Sequence, residues 1–181
     1  MQLVIPEFCL VILIGASGSG KSTFARAHFK PTEVLSSDFC RALVADDEGD
    51  QSASRDAFDL LNVIAAKRLS RRRLTVIDAT NVRPEARRPL LGLARRYHSP
   101  AVAIVFDLPE SVCLARDQAR PNRRVGGLVI ARQMDSLRLS LTGLEREGFW
   151  RTHVLRSVEE VLAVTLLRQP YPNIASLRAN T

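Results

Sequence analysis

An α/β fold, a parallel sheet with helices on both faces, is what this 181-residue sequence predicts. Three observations carry it. Strand-like and helix-like segments alternate along the chain. The strand-like runs are continuously apolar and rich in β-branched residues. The first of them, "FCLVILI" (8–14), runs straight into a glycine-rich turn and then a helix. A continuous apolar run marks a strand covered on both faces, as parallel sheets require. Repeated βα units are the way a chain builds such a sheet.

The elements follow in order. After the helix that opens at Gly20, "EVLSS" (33–37) reads as a short second strand. The span 52–70 is helical, with Ser52 or Ser54 as its cap and an apolar stripe of Phe58, Leu61, Ala65 and Leu69. "LTVIDAT" (74–80) is a third strand, and Pro84 suits the first turn of a helix reaching Tyr97. "AVAIVFDL" (101–108) is a fourth strand, after which Pro109 opens a helix. Ile130, Met134, Leu137, Leu141 and Leu144 mark another helical stripe, which reads as core rather than dimer surface; a homo-oligomer stays open. "HVLRS" (153–157) completes a sheet of about five strands. The Pro-containing stretch 168–181 reads as a terminus or linker, so one domain spans 1–170 and 171–181 leads towards further modules.

Composition narrows the function classes. No run approaches the ~20 apolar residues of a membrane span, and "MQLVIPEF" lacks the basic n-region of a secretory signal. Cys9, Cys40 and Cys113 form neither a disulfide framework nor a zinc pattern, so a cytoplasmic protein is expected. The net charge of +7 points to a polyanionic partner or to an arginine-rich base composition, since only Lys21, Lys30 and Lys67 are lysines. The arginines at 71–73, 87–88 and 95–96 are either a nucleic-acid track or a solvated helix face, and "DDEGD" (46–50) reads as an exposed loop.

The chemistry begins at "LIGASGSGKST" (13–23). Gly15, Gly20, Lys21 and Ser22 satisfy G-x-x-x-x-G-K-[ST], the P-loop of nucleotide-binding proteins, so the α/β fold becomes a P-loop NTPase fold. The stretch Gly15, Ser17, Gly18, Ser19, Gly20, Lys21, Ser22 and Thr23 curls its N–H groups around phosphate oxygens. Lys21 reaches the β- and γ-phosphates, and Ser22 offers its hydroxyl to Mg²⁺. Asp78, at a strand end, either holds Mg²⁺ or caps the turn with Thr80 and Asn81.

An acceptor site is readable beside it. In "SSDFCRAL" (36–43), Asp38 and Arg41 share a helix face. The pair is either an N-cap aspartate with a local ion pair, or a base for a hydroxyl beside a guanidinium that holds phosphate. In "RDQARPNRRVGG" (116–127), Arg116 and Arg120 share a face, Pro121 breaks the helix, and Arg123 and Arg124 precede Gly126-Gly127. This is either a solvated basic turn or an arginine-bearing lid over the transferring phosphoryl group.

In combination, "LIGASGSGKSTFA", "SSDFCR", "TVIDATNV" and the lid arginines resemble the N-terminal 5′-hydroxyl polynucleotide kinase module of bacterial polynucleotide kinase-phosphatases, which heal RNA ends. The likeness runs from "IPE" (5–7) to "RQP" (168–170). It implies ATP or another NTP as donor, Mg²⁺ as cofactor, and single-stranded RNA or DNA 5′-OH ends as acceptor. It also implies phosphatase and ligase-like modules in a longer parent protein. By resemblance Lys21 and Ser22 serve the NTP and the metal, and Asp38 is the general base. Arg41 binds the terminal acceptor phosphate, while Arg116, Arg120 and Arg123 are lid arginines on the donor phosphates. Pro121 and Gly126-Gly127 depart from the family pattern. Two other readings remain: a P-loop kinase for a sugar, antibiotic or nucleotide-sugar hydroxyl, and a nucleotide-dependent switch or assembly module with no acceptor.

Overall fold

The computed structural model describes residues 1–120 and 124–171. Its main sheet has five parallel strands in the order β3-β4-β2-β5-β6: β2 (Leu10–Gly15), β3 (Val34–Ser36), β4 (Thr75–Asp78), β5 (Ala101–Phe106) and β6 (Arg151–Leu155). The expected fold class is the observed one. β2 and β5, the two longest apolar runs, lie side by side inside the sheet with every residue buried.

Because side chains alternate along a strand, β2 feeds two cores. Leu10, Ile12 and Ile14 pack with Leu61, Ala65 and Leu69 of α3 (Ser54–Ser70) and with Leu90, Leu91 and Ala94 of α4 (Pro84–Arg96). Val11 and Leu13 face the other way, onto Phe24 and Ala25 of α1 (Lys21–His28). The remaining helices are α2 (Ser37–Ala45), α5 (Glu110–Gln118), α6 (Gly127–Leu141) and α7 (Val158–Leu162). Among the described residues no helix is long and apolar enough to cross a membrane.

Several local expectations need correction. A second, two-stranded parallel sheet pairs β1 (Gln2–Pro6) with β7 (Thr165–Gln169). Arg168 and Gln169 therefore belong to the domain, not to a linker; residues 172–181 of the expected tail lie outside the described ones. Leu3 and Ile5 of β1 are fully buried, which is why this short sheet stays on the α1 side of the core. α3 has neither Ser52 nor Ser54 as its cap: Ala53 holds that position without a side-chain bond, and Ser54 is the first helical residue. Its buried stripe begins at Ala57, with Phe58 only partly covered. Leu144 is buried as expected but sits in a 3₁₀ turn (Leu144–Glu147) beyond the end of α6. Ile130, Met134 and Leu137 are core. The three cysteines are free and buried, and burial pushes the Cys9 thiol up to about 12.

Arg87 departs furthest from a solvated or nucleic-acid-facing arginine. It is fully buried. Its Nε donates to Glu147 Oε2 at 2.8 Å, its Nη2 pairs with Glu147 Oε1, and its Nη1 donates to Asn81 O at 2.6 Å. Asn81 has a left-handed backbone (φ 49°), and its amide nitrogen donates to Leu13 O at 2.9 Å. The buried fork thus ties α4 and the 3₁₀ turn to the loop after β4, and Asn81 ties that loop to β2 beside the P-loop. Removing one partner of a buried pair strands the other charge. We expect Glu147→Ala to lower unfolding free energy by about 3–5 kcal/mol in chemical denaturation, against a loss under about 1 kcal/mol if the pair behaved as a surface one.

Candidate functional site

The carboxyl ends of β2, β3 and β4 converge, which is where open α/β sheets place ligands. At the end of β2 the chain turns through Gly18 (φ 79°) and Gly20 (φ 96°), left-handed conformations that favour glycine. Gly18 is also pressed against α5: a Cβ there would lie 2.2 Å from the Cys113 carbonyl oxygen. Lys21, the first residue of α1, is buried, and its ammonium donates to Gly15 O and Ala16 O at 2.8 Å each. Burial pushes its pKa down to about 8, partly opposed by the nearby Asp78 carboxylate. Ser19 is fully buried, and its carbonyl accepts from Arg116 Nη1 at 3.3 Å.

Two cavities open over this loop, of about 1010 and 500 Å³, and both are lined by Lys21, Ser22, Asp38, Asp78 and Arg120. They are two wings of one crevice that meet at the P-loop. The larger adds Thr23, Arg26, Phe29 and the exposed Phe39. The smaller adds Ser17, Arg41, Arg124, Val129 and Gln133.

On the wall built by α2, Ser36, not Asp38, caps the helix, its hydroxyl accepting from Phe39 N at 3.4 Å. That removes the N-cap reading of Asp38, which is the second residue of the helix. Asp38 and Arg41 are hydrogen-bonded to each other as an ion pair; Arg41 is buried while Asp38 keeps 43% of its side-chain surface. Arg41 Nε also donates to Glu48 O at 2.8 Å, so the 46–50 loop folds back onto α2 and helps wall the crevice. Ser36 lies opposite Asp78 in the β3–β4 register, which brings Asp38 and Asp78 to the same edge. Asn81 turns its amide to Leu13 O and Ala79 O, and the Asp78 carboxylate faces the crevice without a hydrogen bond from Thr80 or Asn81 among the described residues. A hydroxyl (Ser22) and a carboxylate (Asp78) on one cavity wall form the small protein donor set that Mg²⁺ takes when phosphates and water supply its other ligands.

The arginines expected to form a lid are partly placed. Arg116 reaches the P-loop from α5, and Arg120 and Arg124 line the crevice. Arg123 and Pro121 lie outside the described residues, and α5 has already ended at Gln118. Two residues that sequence reasoning missed organise this region. Asp117 is buried, and its carboxylate accepts from Val125 N at 3.0 Å and Gly126 N at 3.0 Å, clasping the arginine loop at its base. Gly126 (φ 91°) then turns the chain into α6. Gln133, on α6, accepts from Ser17 N of the P-loop at 2.8 Å. The one available signal was the placement of Asp117 between two lid arginines; nothing local marks Gln133.

The AAA domain family matches residues 10–142, most of the chain. The chain belongs to this family. The AAA-domain match spans the P-loop, the Asp38–Arg41 pair, the arginines at 116–124 and α6. The structure is similar to a chain of a Pnkp1/Rnl/Hen1 RNA repair complex, with a TM-score of 0.65 and 25% identity over 76% of this chain. This chain spans 46% of that one, about half its length. It is also similar to a gluconokinase from Sinorhizobium meliloti 1021 (TM-score 0.52, 18% identity, 88% of this chain and 92% of that one). A third likeness is to the APS kinase CysC of Mycobacterium tuberculosis in complex with AMPPNP and APS (TM-score 0.50, 20% identity, 78% of this chain and 99% of that one). No curated protein sequence matches the chain. The AAA domain here therefore has a P-loop kinase fold.

The buried lysine gives this AAA domain a pH signature. Lys21 titrates at about 8 when no anion is present, and a bound phosphate raises its pKa by favouring the charged form. Binding then takes up a proton above pH 8. NTP affinity is expected to be full below pH 8 and to fall as pH rises beyond it, by up to about tenfold per unit. Titration calorimetry in buffers of different ionisation heat checks this; an affinity flat from pH 8 to 10 would contradict it.

Proposed function

We propose that the protein is a 5′-hydroxyl polynucleotide kinase, transferring the γ-phosphate of an NTP to the 5′-OH end of RNA or DNA. The observation that carries the reading is the Asp38–Arg41 pair on the wall of the crevice that also exposes Lys21 and Ser22. A base and an anion-holding fork stand within one cavity of the phosphate cradle, as a transfer to an acceptor requires and a nucleotide switch does not. The larger wing, with Arg26 and the exposed Phe39, leaves room for a chain that continues past its first nucleotide. The motif resemblance and the similarity to the RNA repair chain point the same way.

In this reading P-loop N–H groups and Lys21 hold the β- and γ-phosphates. Ser22 and Asp78 are the residues that would hold Mg²⁺, which shields phosphate charge when bound. The O5′ oxygen bonds to the γ-phosphorus as the bond from that phosphorus to the β–γ bridging oxygen breaks, and NDP leaves. Asp38 takes the O5′ proton and, being half-exposed, passes it to water. Arg41 holds the first acceptor phosphate, a task for a planar two-pronged donor. Arg116, Arg120 and Arg123 serve the donor phosphates from the lid. The phosphatase and ligase-like modules of a longer parent, with RNA repair as the setting, belong to the same proposal.

A metabolite kinase is the second reading, favoured by the smaller wing: at about 500 Å³ it has the size of a small-ligand site. A labelled NTP with Mg²⁺ separates the two when a 5′-OH oligonucleotide is run beside sugars and nucleosides. Oligonucleotide labelling is expected, improved by a 3′-phosphate on the terminal nucleoside; labelling of metabolites alone overturns the reading. Asp38→Asn is expected to cut turnover about 10²- to 10⁴-fold with NTP affinity kept. Arg41→Lys should not recover what Arg41→Ala loses, because an ammonium cannot bind two phosphate oxygens in one plane. Salt should weaken oligonucleotide binding with a shallow slope, since a strand end engages few phosphates.

A further inference from the structure

α6 reaches the P-loop backbone through the Gln133 side chain. Ile130 and Met134 pack under the P-loop side of the core with Ala16, Leu108 and Cys113, and Leu137 packs in the main core, so the helix is fixed in rotation. Gln133, half-buried on the adjoining face, spans to the P-loop and accepts the Ser17 N–H at 2.8 Å, a contact between residues 116 apart in sequence. A backbone N–H can be satisfied only by the oxygen of a carboxamide, so chemistry, and not the placement of near-identical atoms, fixes which end of Gln133 faces the loop. The NH₂ end is then left free of the loop, and Gln133 lines the smaller cavity together with Lys21, Ser22, Asp38 and Arg41. That end has no hydrogen-bond partner among the described residues.

We propose that Gln133 reads the γ-phosphate: its amide oxygen stays on Ser17 N–H while its NH₂ donates to an oxygen of the phosphoryl group to be transferred. The proposal rests on the phosphotransfer reading of the site but not on the identity of the acceptor. The tether does two things. It holds the donor rigid, so no side-chain freedom is lost when the nucleotide arrives. It also makes one contact between α6 and the donor depend on a group that NTP has and NDP lacks. Charge in phosphoryl transfer is spread over the equatorial oxygens, where a fixed neutral donor stabilises it without competing for the metal. Product NDP loses the contact, so the helix that follows the arginine loop holds the spent nucleotide less tightly than the substrate.

The test compares the dissociation constants of a non-hydrolysable NTP analogue and of NDP, both with Mg²⁺ and with no acceptor present, in the wild type, Gln133→Ala and Gln133→Glu. Gln133→Ala is expected to weaken the analogue about 10- to 100-fold and to leave NDP within about threefold. Gln133→Glu keeps an acceptor for Ser17 N–H but has no proton to donate, and it should weaken the analogue at least as far. If Gln133 were only a clip between α6 and the loop, Gln133→Ala would weaken both ligands alike; Gln133→Glu binding the analogue like the wild type, despite its added negative charge, would show that no phosphate oxygen lies within reach of that side-chain end. Either result overturns the proposal. Thermal unfolding of each variant within a few degrees of the wild type separates a lost contact from a lost fold. Failure of oligonucleotide phosphorylation would sink the acceptor assignment and leave the analogue-to-NDP ratio untouched, so the two readings fail separately.

Discussion

The ammonium of Lys21, buried at the floor of a loop of N–H donors, sets the terms for the rest of the site. A cation without water is costly, and burial, partly opposed by the Asp78 carboxylate, pulls its pKa down to about 8. Two P-loop carbonyls and the Asp78 carboxylate partly compensate, which requires the ends of β2 and β4 to lie side by side, as their parallel register provides. Full relief comes only from an anion in the loop. The loop in turn cannot relax away from the lysine. Gly18 is packed against the Cys113 carbonyl, and Arg116 draws the Ser19 carbonyl towards α5. The donor site is thus assembled by three elements along one sheet edge before any ligand arrives.

The same economy of movement extends to the Asp38–Arg41 wall of the crevice and to the arginine loop. Arg41 is held from two directions, by Asp38 and by the Glu48 carbonyl, so the fork is oriented while the carboxylate beside it remains half-open to solvent. Asp117 clasps the far end of the arginine loop with a carboxylate that has left solvent. The cost of organising these groups falls on folding and not on substrate binding, which is the condition for electrostatic catalysis.

Much of this was legible in the sequence because the signals are local. Continuous apolar runs marked the buried strands, and the P-loop residues fixed which edge of the sheet carries the chemistry. What escaped has long-range causes. β1 and β7 pair residues more than 160 positions apart, β1 contains Pro6, and β7 alternates exposed and half-buried positions beside a proline-rich stretch. Asp117 and Gln133 act on backbone N–H groups that only the folded chain brings to them. Arg87 read as a surface charge because its partner Glu147 lies 60 residues away in a turn. Asp38 stayed open between cap and base because either it or Ser36, two residues earlier, offers a capping oxygen, and only the folded chain shows that Ser36 takes the position.

A structure of the protein with a non-hydrolysable NTP analogue, Mg²⁺ and a short 5′-OH oligonucleotide tests the central claim most directly. The account places the O5′ atom in the smaller wing within hydrogen-bond reach of Asp38, in line with the β–γ bridge, with the first internucleotide phosphate on Arg41. An oligonucleotide bound elsewhere on the surface, or Asp38 found coordinating the metal, would contradict it.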